Sequence, residues 1–269
     1  MITAGAPAVD DPSVYEALRR IDKSQLVVFA GPSLVDSPLF EYAAHLLLPP
    51  VKDGDLIAAL DAGGSPAVIL LIDGYFGAGQ AVSLTEIQEV LHRGVRLYGC
   101  ASMGALRAVE ARPWGMTGLG EIFTAYLTGS RTADENVALL HDDTYRGLTA
   151  PTVNVDLLCE LLVAEGLPQE QCHEFGRRSR QLYFGDRSYS ALRHLARECF
   201  DRRGGETSAL EMTLAYLAPA QHHRWDAKRR DAESALRDVV LGLAPRTNSG
   251  EVVPVPASLA ALLPKGSAL

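Results

Sequence analysis

The chain has 269 residues, of which 47% are hydrophobic and 22% charged, a globular composition that excludes disorder throughout. Its net charge of −8 argues against nucleic acid as the main partner. No apolar run approaches the ~20 residues of a membrane span, and Met1 to Val9 lack the basic and apolar regions of a secretory signal.

In chain order, residues 1–12 are polar and read as a loose arm. Leu26 to Ala30 is a buried strand stopped by Gly31-Pro32-Ser33. Ser37-Pro38 opens a helix, with serine as N-cap and proline at the first helical position, running through Leu47 to Pro49-Pro50. Asp53-Gly54-Asp55 caps a short helix, Leu56 to Leu60. Ala67 to Ile72 is the clearest buried strand and ends at Asp73-Gly74. Ser83 to His92 is an amphipathic helix stopped at Gly94. Val95 to Tyr98 is a third strand, followed by Gly99-Cys100-Ala101-Ser102-Met103-Gly104 and a helix to Ala111. A glycine-rich stretch, Pro113 to Gly120, leads into a helix, Glu121 to Leu127, and a further strand is expected at Val137 to Leu140. From Val153 the patterns are helical, at 153–165, 169–184, 189–202, 207–217 and 221–241.

The fold class is therefore α/β: a parallel-type sheet flanked by helices, then an all-helical part. The expected division is an α/β domain over 13–150 and a helical domain over 151–244, with flexible termini at 1–12 and 245–269. Residues 1–167 hold 10 basic and 21 acidic side chains, a balance of −11, whereas residues 168–269 hold 15 and 12, a balance of +3. Of the 25 basic residues only four are lysines, Lys23, Lys52, Lys228 and Lys265, so each lysine is worth locating.

Ligands of such sheets bind at the carboxyl ends of strands, here Gly31-Pro32-Ser33, Asp73-Gly74 and Ala101-Ser102-Met103. Between a strand and a helix, Cys100-Ala101-Ser102-Met103-Gly104 suits a tight turn exposing a serine hydroxyl, with Cys100 where a nucleophile elbow has glycine. The amides of Met103 and Gly104 open the following helix and suit an oxyanion, although the commoner role of a serine here is that of an ordinary N-cap. Lys52 follows two prolines, and a lysine in a rigid, partly desolvated loop can serve as a base, which arginine cannot. Its ordinary alternative is a solvated ion pair with Asp53 or Asp55. Asp73 orients a catalytic group, binds a ligand or caps a turn. Gly31 and Ser33 offer a phosphate-like cradle, but no complete nucleotide-binding signature exists. Arg107 suits charge neutralisation in the site or a salt bridge to Glu110. None of the seven histidines has metal-ligand spacing, and only His141 is retained as a polar site residue. The four cysteines lack a Cys-x-x-Cys pair and read as reduced thiols, so the expected compartment is cytoplasmic, with no metal and no cofactor. Arg177, Arg178, Arg180 and Arg187 form a basic run, either a solvated helix face or a dock for an acidic protein.

Gly31-Pro32-Ser33, Pro49-Pro50 with Gly54-Asp55, Ile72-Asp73-Gly74, Ala101 to Ala108, Gly115 to Phe123 with Tyr126, Asp134 to Ala138 and Val153-Asn154 together resemble the TfuA-like proteins over residues 26–155. The resemblance implies peptide backbone thioamidation alongside a YcaO-type ATP-dependent enzyme. In it, the TfuA-like partner hydrolyses a thiocarboxylated ThiS-like sulfur carrier to free sulfide, and helps engage the YcaO enzyme and its precursor peptide. It implies a Ser–Lys hydrolase site, with Ser102 at the nucleophile position and Lys52 as the matching lysine. Gly31, Ser33, Asp73, Gly74, Met103, Gly104 and Arg107 are the accompanying oxyanion and substrate-binding positions. The competing functions are a non-catalytic adaptor recruiting carrier and peptide, and a nucleotide or phosphate binder. Nucleic-acid and membrane partners are not expected.

Overall fold

The computed structural model describes residues 11–62, 65–77, 79–200 and 207–243. Five parallel strands form one sheet in the order β2-β1-β3-β4-β5, with β1 at Leu26–Phe29, β2 at Leu47–Leu48, β3 at Val68–Leu71, β4 at Arg96–Gly99 and β5 at Thr117–Gly118. β1, β3 and β4 are aligned end to end, pairing Phe29 with Leu71 and Leu71 with Gly99, so their carboxyl ends share one level.

Alternation along β1 and β3 divides the core into two layers. Leu26, Val28, Val68, Leu70 and Ile72 face helices α1 (Pro12–Arg20), α2 (Pro38–Ala43) and α11 (Ala227–Leu243). Val27, Phe29, Ile69 and Leu71 face α3 (Asp55–Asp61), α4 (Leu84–His92), α5 (Met103–Glu110) and α6 (Gly120–Leu127). Each such side chain contributes about 1.5–3 kcal/mol on leaving water, and both strands are buried along their whole length. A separate apolar cluster, including Leu158, Leu162, Phe175, Leu192, Phe200 and Trp225, joins α7 (Thr152–Ala164), α8 (Gln169–Gln181), α9 (Tyr189–Phe200) and α10 (Thr207–Tyr216).

Four features depart from the expectations. Asp11 and Pro12 belong to α1, where Asp11 Oδ1 accepts the Ser13 amide as N-cap. The helix from Pro38 ends at Ala43, because Leu47 pairs with Val28 and becomes β2. The strand expected at 137–140 does not form: a 3-10 turn at Asp134–Asn136 precedes buried Val137, and β5 forms within the glycine-rich stretch instead. The helix expected at 221–241 is divided into a 3-10 turn, Pro219–Trp225, and α11, with Asp226 Oδ1 accepting the Arg229 amide at the division. The tail from Pro245 lies outside the described residues. α11 does not stay with the bundle: its Ala232, Ala235, Leu236, Val239 and Val240 are part of the sheet's own core.

Candidate functional site

The carboxyl ends of β1, β3 and β4 bring Ser33, Asp73 and Ser102 to one edge of the sheet. At the end of β4 the chain turns within two residues. Ala101 adopts φ +60°, and the Ser102 amide donates to Cys100 O across it at 2.7 Å. That is a three-residue turn with a left-handed alanine at its centre, a conformation costing on the order of 1–3 kcal/mol that surrounding structure must hold. Ser102 is 2% exposed and directly precedes α5. It occupies the N-cap position without capping, since its hydroxyl makes no hydrogen bond among the described residues. The Met103 amide, first of α5, also has no acceptor there. An unbonded hydroxyl beside a free amide at a helix N-terminus suits attack on a carbonyl and binding of the resulting oxyanion.

The other predicted donors are already engaged. The amides of Gly31 and Ser33 both donate to Asp73 Oδ2 at 2.9 Å, and Ser33 Oγ donates to Asp73 Oδ1 at 2.7 Å. The anion cradled by this loop is thus the protein's own carboxylate, which corrects the reading of Gly31 and Ser33 as free donors. The Gly104 amide donates to Ile72 O at 3.1 Å, so Met103 alone of the pair is free. Gly74 and Gly104 serve close packing: a Cβ on Gly74 would lie 2.8 Å from Met103 Cγ, and one on Gly104 would lie 1.8 Å from Leu71 O. Arg107 Nε donates to Val82 O and its guanidinium pairs with Glu110, so its charge is committed along α5.

Lys52 stands on the exposed rim, its Nζ 4.7 Å from the centre of the Tyr75 ring. It forms no side-chain ion pair with Asp53 or Asp55. Asp55 Oδ2 accepts the Lys52 amide instead, and Asp53 Oδ1 accepts the Ser83 amide. Buried Glu86 holds the loop by accepting the amides of Gly54, Leu56 and Ile57. His141 lies between Tyr75 and Tyr145, at ring separations of 6.2 and 5.4 Å.

Helix α11 supplies what sequence reading missed. Lys228 Nζ donates to Val137 O at 3.0 Å and lies 3.7 Å from Asp73 Oδ1, with both side chains 3% exposed. Burial pushes the Lys228 ammonium below the ordinary lysine range, against the opposing pull of Asp73 and Asp226. Asn154 fixes the start of this helix: its Oδ1 accepts the Lys228 amide and its Nδ2 donates to Asp226 Oδ1. The only sequence signal for Lys228 is the scarcity of lysine.

Residues 73–188 match the model of the TfuA-like protein family. Over those residues, less than half of its length, the chain is similar to TfuA-like proteins. The matched segment begins at Asp73 and contains the Ser102 turn, whereas Lys52 precedes it and Lys228 follows it. No curated protein matches the chain. Among the described residues, no group of three or more histidine, cysteine, aspartate or glutamate side chains could hold a metal ion. All four cysteines are free and buried, and burial raises the Cys100 thiol well above its usual range. No described helix is long and apolar enough to cross a membrane.

Proposed function

We propose that this TfuA-like protein is a serine hydrolase that releases sulfide from the C-terminal thiocarboxylate of a ThiS-like carrier protein, for YcaO-dependent thioamidation of a precursor peptide. The family assignment supports association with a YcaO partner. The observation carrying the hydrolase reading is the unbonded, nearly buried Ser102 hydroxyl on its left-handed turn beside the free Met103 amide. Ser102 attacks the thiocarboxylate carbon, and the Met103 amide holds the oxygen anion. A lysine amine takes the serine proton. Lys52 is the lysine nominated by its loop.

Sulfide production from a carrier thiocarboxylate, compared between the parent protein and Ser102→Ala, tests this. Equal release by both rejects the hydrolase. The second reading, a non-catalytic adaptor, is favoured by the exposed apolar side chains Leu140, Leu148 and Tyr183, at 45%, 53% and 59%. It predicts that Ser102→Ala still supports thioamidation when sulfide is supplied by the carrier.

A further inference from the structure

We infer that Leu140, Leu148 and Tyr183 form the surface on which the folded body of the carrier protein rests while its C-terminal tail enters at Ser102. The inference rests on the hydrolase reading above, because a substrate that is a protein terminus sets the rest of its chain down beside the entrance. These three are the most exposed large apolar side chains among the described residues, at 45%, 53% and 59%. Single apolar side chains scattered over a surface are ordinary, whereas a contiguous group marks a contact. These three are contiguous, although they come from segments far apart in sequence.

Residues 140–148 form a hairpin. His141 pairs with Gly147 in an antiparallel bridge, the Leu148 amide donates to Leu140 O at 2.7 Å, and the Asp142 amide donates to Arg146 O near the tip. That register sets Leu140 opposite Leu148 on one face and turns His141 to the other. Tyr183 joins them from the turn after α8: a Cβ on Gly185 would lie 3.0 Å from Tyr183 Cε1 and 3.6 Å from Leu140 Cδ1. Buried Arg187 ties the two segments together, donating to Ala150 O at 3.3 Å and to Leu182 O at 3.1 Å, while Thr149 bridges to Ser188. The patch is therefore held in shape before a partner arrives, which lowers the cost of binding.

The other face of the same hairpin rests on the candidate site. Tyr145 stands at φ +65°, one of two non-glycine residues in the left-handed region among the described residues; the other is Ala101, beside Ser102. Asp142 Oδ1 holds this turn by accepting the amides of Thr144 and Arg146. The turn lays the Tyr145 ring on Gly31, with Cδ1 3.2 Å from where a Cβ would stand, and Arg146 pairs with Asp36 in the loop after β1 at 3.7 Å. The His141 ring lies 6.2 Å from that of Tyr75, which directly follows Gly74, and Gly74 packs on Met103. A chain of contacts thus runs from the patch through the hairpin to the residue after Ser102. The fitting partner is a small folded protein that presents an apolar face near the root of an extended C-terminal tail.

The test compares the carrier thiocarboxylate with a synthetic peptide thiocarboxylate that carries only the carrier's terminal residues. Sulfide release is measured for the parent, Leu148→Ser, Tyr183→Ala and the double variant. Both side chains are more than half exposed, so folding should survive, and thermal midpoints check it. The double variant should raise KM for the carrier by about 10-fold or more, as loss of a central apolar contact does, and leave kcat within a few-fold. With the peptide, kcat and KM should stay at the parent values. An unchanged KM for the carrier, or equal losses with carrier and peptide, overturns the assignment while leaving the hydrolase intact. So does parent-like sulfide release combined with lost thioamidation, which gives this surface to the YcaO enzyme. Absence of sulfide release from both substrates by the parent overturns the hydrolase. Calorimetry with the carrier then decides the surface, which stands if the double variant loses the parent's binding and falls if the two bind alike or neither binds.

Discussion

Lys228 Nζ and Asp73 Oδ1 lie 3.7 Å apart with both side chains almost sealed from water, which joins α11 to the central strand end of the sheet. Removing one partner of such a pair leaves an uncompensated buried charge, at a cost of about 3–5 kcal/mol. Lys228→Met and Asp73→Asn should each lower stability in urea titrations. The double variant should lose at least about 1 kcal/mol less than the two losses added together. Strict additivity would show that the two groups do not interact.

Ser102→Ala should separate stability from activity. The hydroxyl has no hydrogen-bond partner among the described residues, so its loss should change unfolding free energy by less than about 1 kcal/mol. Sulfide release should fall by several orders of magnitude. A large drop in thermal midpoint would mean that the hydroxyl has a structural task.

Asp231 predicts a pH dependence of stability. Burial pushes its carboxyl up to about 7, against the two amide hydrogen bonds that favour the anion. An unfolded aspartate titrates near 3.9. Between about pH 4 and 7 the folded state therefore holds a proton that the unfolded state has released. Its contribution is complete below the lower value and is lost as pH rises to the upper. Across that window the parent protein should lose more than about 1.4 kcal/mol relative to Asp231→Asn, as measured by denaturation at a series of pH values.

Glu86→Ala strips the acceptor from three amides at the start of α3. The expected cost is about 1–2 kcal/mol, typical of a lost helix cap or more. Hydrogen exchange should accelerate at Gly54, Leu56 and Ile57, and the loop carrying Lys52 should loosen with them. Unchanged protection at those amides would contradict this.

Gly104→Ala places a methyl group 1.8 Å from Leu71 O, a backbone atom of β3 that cannot swing aside. The loss should be about 3 kcal/mol or more, with the Ser102 turn displaced. Gly242→Ala, on α11 with nothing within 4 Å of the added carbon, should stay within about 1 kcal/mol of the parent. Comparable thermal midpoints for the two variants would refute the close-packing argument.

Much of this molecule was legible in one dimension because the relevant physics is local. Continuous apolar runs marked β1, β3 and β4, and Ser37-Pro38 and Ser83 announced helix starts that the structure retains through side-chain caps. The Ser102 turn was visible because small residues between a strand and a helix permit only a tight corner. β5 and the end of α2 were not, since two-residue strands arise from pairing with β4 and β1 rather than from their own composition. Asp226 likewise stops one helix and starts another through bonds to Asn154 and Arg229, of which only the second is near in sequence.

Local pattern by itself determined the parallel α/β class, the three loops at the strand ends and Ser102 as the residue to watch. Tertiary structure alone decided who meets whom at that edge. It turned the Gly31 and Ser33 amides onto Asp73, placed Lys52 over Tyr75 and carried Lys228 to Asp73 from 155 positions away. Within α11, Lys228 sits in the polar run Ala-Lys-Arg-Arg-Asp, where helical periodicity gives no reason to bury it. Its burial follows from the packing of α11 across the sheet's end, where desolvation opposes the pull of Asp73 and Asp226 on the same amine.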